Sequence, residues 1–145
     1  MNDMLLVVVL AGRRAVLPAV AVNSVNELAE VTPVPRSAAH VAGLAALRSR
    51  PLTLIDCAAS LGAGQRSDPS LCRAVVVEHE GHLYGLLVEA ADDIVAAHGE
   101  PGQLGADPGA GWSRVATGRV ETEAGALPYL DIAALIAGPD ETLAA

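Results

Sequence analysis

The residues able to do chemistry in this sequence are few and scattered. His79 and His82 bracket Glu80-Gly81 in the order H-E-G-H, and the other histidines are His40 and His98. Two imidazoles on one hairpin, with Asp93 as a further oxygen ligand, would be the start of a small metal-dependent hydrolase. The spacing argues against that reading. H-E-x-x-H places two histidines on one helical face, whereas H-E-G-H sits on a tight turn, and a zinc site needs more ligands than this. The Asp92-Asp93 pair has no neighbour in sequence that would perturb its proton affinity, so it reads as a solvated turn rather than an acid/base pair. Gly62-Ala-Gly64-Gln lacks the Lys-Ser/Thr of a phosphate loop. Ser24, Ser37, Ser49 and Ser60 lie outside any nucleophile-elbow context. Cys57 and Cys72 have neither metal spacing nor a disulfide framework and read as small buried apolar side chains in a reducing compartment. The expectation is a chain with no catalytic residues, no metal and no cofactor, built for contact.

What must position any contact surface is a set of short strands. The chain has 145 residues, 52% of them hydrophobic and 18% charged. That is one domain's worth of chain, too apolar to be disordered. Aromatics are limited to Tyr84, Trp112 and Tyr129, so Val, Leu, Ile and Ala must fill the core. There is no Lys, and the net charge is −8, which disfavours nucleic acid and anionic membrane surfaces. Met4 to Ala11 is too short to cross a bilayer, and the arginines follow it rather than precede it, so it reads as neither span nor export signal. A cytoplasmic location is expected.

Leu5 to Leu10 reads as a strand buried on both faces, returning through Gly12 into Ala15-Val16-Leu17, which Pro18 closes. Ala19 to Ser24 reads as a helical turn or bend. Ser37 is a candidate helix cap. Val41 to Leu47 and Leu52 to Ile55 read as strands, and Asp56 as the cap of a short helix that Gly62 ends. Gly62 to Ser70 is a loop. Arg73 to Val77 and Leu83 to Val88 form a hairpin around Glu80-Gly81, and a further strand follows Asp92-Asp93. His98 to Gly111 is irregular. Trp112 to Glu123 and Leu127 to Leu130 read as a second hairpin, and Asp131 caps an apolar helix, Ile132 to Ala137, stopped by Gly138-Pro139. Leu52–Asp56 plus helix echoes Leu127–Asp131 plus helix, which suggests two similar β-rich halves and an all-β barrel architecture.

Five segments in order resemble the CheW-like family of chemotaxis coupling proteins. They are Val31-Thr-Pro-Val-Pro35, Gly43-Leu-Ala-Ala-Leu-Arg48, Pro51-Leu-Thr-Leu-Ile-Asp56, Leu83-Tyr-Gly85-Leu-Leu-Val-Glu89 with Asp93-Ile94-Val95, and Gly118-Arg-Val through Ile136. The resemblance spans residues 4 to 138. It implies a mainly β fold of two five-stranded SH3-like barrels with a few short helices, sharing one core in a single domain over 1–138, with 139–145 as a flexible tail. It also implies a non-catalytic adaptor that binds the CheW-like regulatory domain of the histidine kinase CheA and the cytoplasmic tip of chemoreceptors, without membrane insertion. A regulatory adaptor outside motility is the alternative within signalling. Partner-binding positions carried over on this basis are Val22, Ser24, Val25, Arg48, Ser49, Gly85, Ala91 and Ile94. Two depart from the family pattern: Ser24 stands where the family often has Glu, and Ser49 where it has Gly.

Overall fold

The computed structural model describes residues 4–10, 12–27, 32, 40–47, 49–61, 73–99, 102 and 110–138. Ten strands form two five-stranded sheets. The first sheet joins β1 (Met4–Leu10) and β2 (Arg13–Pro18) to β8 (Ala90–Ala96), β9 (Ala116–Thr122) and β10 (Gly125–Leu130), in the order β8-β1-β2-β10-β9. The second is contiguous in sequence: β3 (Val22–Glu27), β4 (Val41–Leu47), β5 (Arg50–Asp56), β6 (Arg73–His79) and β7 (His82–Val88), in the order β3-β6-β7-β5-β4. Among the described residues each sheet curls until its ends are linked by isolated bridges, Ala97 to Thr122 and Gly102 to Arg119 in one and Thr32 to Leu44 in the other. The barrels are therefore SH3-like, but among the described residues no continuous ladder closes them.

The expected echo is present, with one correction. The two units are not consecutive halves. The second barrel is inserted whole between β2 and β8 of the first, because a one-turn 3₁₀ segment (Ala19–Ala21) carries the chain from one sheet to the other. In each barrel a strand runs parallel to a partner, β10 to β2 and β5 to β7, and ends in an Asp that caps a helix. Asp56 accepts from the Ala59 N–H at the start of α1 (Cys57–Ser60). Asp131 accepts from the Ala133 and Ala134 N–H groups of α3 (Ile132–Ala137). An Asp at this position satisfies amides that a helix start leaves without partners.

Strand alternation sorts the apolar side chains into three clusters. Along β1, Leu6, Val8 and Leu10 face a core shared with the second barrel, while Leu5 and Val7 fill the first barrel's own interior. Along β7, Leu86 and Val88 face the shared core, and Leu83 and Leu87 fill the second barrel. This explains the unbroken apolar run of β1: both its faces are covered.

Two element readings need correction. Trp112 to Val115 is not strand but belongs to α2 (Ala110–Val115), and β9 starts at Ala116. Trp112 and Val115, three residues apart, are both buried in the shared core, which is helical rather than alternating spacing. Strand β3 begins at Val22, inside the segment read as a bend. Ser37, the 62–70 loop, Cys72 and the 139–145 tail lie outside the described residues. Cys57 is buried, and its thiol donates to Ile55 O at 3.9 Å.

Candidate functional site

The two edge strands β3 and β8 occupy equivalent places at the head of each sheet, and both are bulged. In β3 the pairing with β6 slips between Val22 and Ser24, so Val22 lies opposite Val77 and Val25 opposite Val75. Those partners face the shared core, so the bulge turns Val22 and Val25 to the same side although they are three residues apart. In β8 the pairing with β1 slips between Val7 and Val9, which places Ile94 opposite Leu6. Leu6 and Ala91 both belong to the shared core, so Ala91 and Ile94 again share a side at a spacing of three. β8 packs over β6, the neighbour of β3. The two bulged edges therefore flank one margin of the inter-barrel core.

That margin is apolar and open. Ile94 is 52% exposed and Val25 36%, and Val22 is half-buried against the core. Met4, 51% exposed, lies opposite Ala96 at the same end of β1. Val20, at 95% exposure, protrudes from the 3₁₀ link beside it. Met4 and Val20 escaped sequence reasoning: an apolar strand start and an apolar bend look like core until the register is known.

The other carried-over positions are less uniform. Ser24 faces away from Val22 and Val25, and its hydroxyl accepts a 2.8 Å hydrogen bond from Asn26 Nδ2. Arg48 lies outside the described residues. Ser49 is exposed at the turn between β4 and β5 with φ 73°, a left-handed conformation that explains the family's Gly there. Gly85 and Ala91 are buried in this structure. A Cβ on Gly85 would stand 2.8 Å from Leu54 Cδ2 and 3.2 Å from Leu52 Cδ2, which makes it a packing residue.

The hydrolase constellation does not assemble. His79 and His82 pair across the β6–β7 turn, where His79 stands edge-on to Tyr84 at 6.2 Å, whereas Asp93 is exposed on β8 of the other sheet. Among the described residues no three His, Cys, Asp or Glu groups converge on a possible metal position.

A family model described as the CheW-like domain matches residues 4–139. The chain belongs to the CheW-like family. Among solved structures it is similar to the scaffolding protein TtCheW from Thermoanaerobacter tengcongensis, with a TM-score of 0.75 and 22% identity over 91% of this chain and 86% of that one. At that identity the likeness speaks for the fold. No curated protein matches the chain. CheW-like membership accounts for the paired barrels.

Proposed function

We propose that the chain is a non-catalytic adaptor that couples chemoreceptors to the histidine kinase CheA. The observation that carries the reading is the CheW-like match over both barrels. The open apolar margin formed by Val22, Val25, Ile94 and Met4 fits it, since exposed apolar patches on a small protein mark interaction sites. On this reading the partners are CheA's CheW-like regulatory domain and the receptor's cytoplasmic tip, and the protein works in the cytoplasm at receptor arrays. No helix among the described residues is long and apolar enough to cross a membrane.

Calorimetry of the purified protein with each partner domain tests the proposal. Micromolar binding to at least one partner is expected, lost on Ile94→Asp with the fold retained. A charge there must be desolvated on docking, and that penalty is several kcal/mol. Absence of binding to both at tens of micromolar, in the weak-affinity range, overturns it. The departures at Ser24 and Ser49 favour one alternative, a CheW-like adaptor in a signalling system outside motility. Gene neighbours encoding a kinase and receptor without flagellar components would select it.

A further inference from the structure

The shared core joins two barrels through apolar side chains alone, and apolar contact is non-directional. It holds two sheets together without choosing the angle between them. Among the described residues, directional bonds across the junction gather where the three short helices meet. Arg114, on α2 of the split barrel, donates from Nη1 to Ala134 O on α3 at 2.6 Å. Its Nη2 donates to Ser60 O at 2.5 Å and lies 3.0 Å from Ser60 Oγ, on α1 of the inserted barrel. The Ser60 hydroxyl is buried and donates onward to Leu135 O at 2.8 Å. One guanidinium thus serves carbonyls in the last turns of two helices from different barrels, where Ala134 O also accepts from the Gly138 N–H. Its planar fork can do this from one fixed position, which a Lys ammonium on a flexible stem cannot. A second tie lies beside it: His40 Nε2 bonds Ile136 O at 2.9 Å, and its ring packs on Gly138.

Arg13, on β2 of the split barrel, stacks on Trp112 of α2 at 4.8 Å, which ties the helix that carries Arg114 to its own sheet. The margin is lined by β8 of the split barrel and β3 of the inserted one, so a change of inter-barrel angle changes the separation of its two edges.

We propose that Arg114 is a positioning residue that sets the angle between the two barrels, and through it the width of the apolar margin formed by β3 and β8. The consequence for binding rests on the adaptor reading; the angle does not. The test places spin labels on the full chain at Glu78→Cys in the inserted barrel and Glu121→Cys in the split barrel, in a Cys72→Ser background. The inter-label distance distribution is expected to be narrow with Arg114 present and to broaden about twofold in Arg114→Lys, as hinge loosening requires. Ser60→Ala, which keeps Arg114 but removes one of its acceptors, should give an intermediate width. Trp112 is the chain's single tryptophan, so its emission should shift to the red in Arg114→Lys while the far-ultraviolet β signal is kept. Affinity for whichever partner occupies the margin should fall about tenfold in Arg114→Lys. Unchanged widths in both variants overturn the proposal, as does loss of the β signal in Arg114→Lys with an unchanged width in Ser60→Ala. If the native protein binds neither partner, the adaptor reading fails while the distance measurement still decides the role of Arg114.

Discussion

The split barrel and the inserted barrel solve one layout with different residues. Two positions before each capping Asp, a strand residue lies beside a residue of its parallel neighbour. In the inserted barrel the pair is Leu54 and Gly85, and in the split barrel it is Tyr129 and Val16. The inserted barrel fills its interior with Leu52, Leu54, Leu83 and Leu87 and makes room for them with Gly85 and Ala74. The split barrel uses Val7, Val16, Val95 and Val120 with Leu5 and Leu127. The volume is divided differently along equivalent strands, so the repeat is visible in its helix caps and nearly invisible in its core. Two barrels of one chain thus keep their backbone layout without keeping the side chains that fill it.

The largest expected effect breaks the joint between them. Gly138 has φ 77°, and a Cβ there would fall within 2.4 Å of three atoms of the His40 ring. Gly138→Ala combines left-handed strain with overpacking and should cost about 3–5 kcal/mol. For a chain this size that lowers Tm by about 10 °C or more, measurable by thermal circular dichroism. A drop of only a degree or two would mean that the end of α3 is not anchored on His40.

Next in size is the paired substitution to Ala at equivalent positions. Gly85→Ala should destabilise by about 1–3 kcal/mol because the new methyl has no space. Val16→Ala should cost about 2 kcal/mol for the opposite reason, an unfilled cavity. Chemical denaturation separates the causes when Leu54→Val is added. It should recover part of the loss in Gly85→Ala and add independently to Val16→Ala, since only the first pair is in contact. Additivity in both cycles would remove the packing account of Gly85.

The caps differ less. Asp56 is fully buried and Asp131 partly exposed, although both accept from the first turn of a helix. Asp56→Ala should cost about 2 kcal/mol, and Asp131→Ala about 0.5 kcal/mol, where water can replace the lost acceptor. Equal losses in urea unfolding would mean that cap geometry, not burial, sets the cost.

Much of this was legible in the sequence. The strand–Asp–helix echo, the Glu80-Gly81 hairpin and the double-faced burial of β1 follow from residue type and spacing alone. The inserted order of the barrels did not, because strand neighbours more than eighty residues apart, such as Val9 and Ala90, leave no local mark. The α2 segment departs from the strand expectation although Trp112 and Val115 carry helical spacing, since the β-rich residues after them dominate the window. At the site, Val22, Val25 and Ile94 reach the margin only because of two bulges, and a bulge inverts the alternation from which facing is read. Gly85 and Ala91 came over with the family motif and prove to be buried, since a motif does not distinguish contact from packing.

The smallest effect concerns the turns, where the barrels also part company. Among the described hairpin residues of the split barrel, positive φ falls on glycines, Gly12 at 77° and Gly125 at 107°. The inserted barrel places Ser49 at 73° and Glu80 at 52° in the same region, ahead of Gly81 at 83°. The left-handed region costs an ordinary side chain about 1–2 kcal/mol, while Gly enters it freely but loses about 0.5–1 kcal/mol more in chain entropy on folding. Ser49→Gly should therefore stabilise the domain by about 0.5–1 kcal/mol, raising Tm by about 2–3 °C. Gly125→Ser in the split barrel should lower it by a similar amount. Because Ser49 stands where the CheW-like pattern has Gly, the same variant also asks what the departure does: on the proposed adaptor reading, affinity for CheA or receptor should stay within about twofold if Ser49 matters only to the turn. A Tm that falls on Ser49→Gly would show that the hydroxyl holds the β4–β5 turn, and that the serine is a functional replacement rather than a strained one.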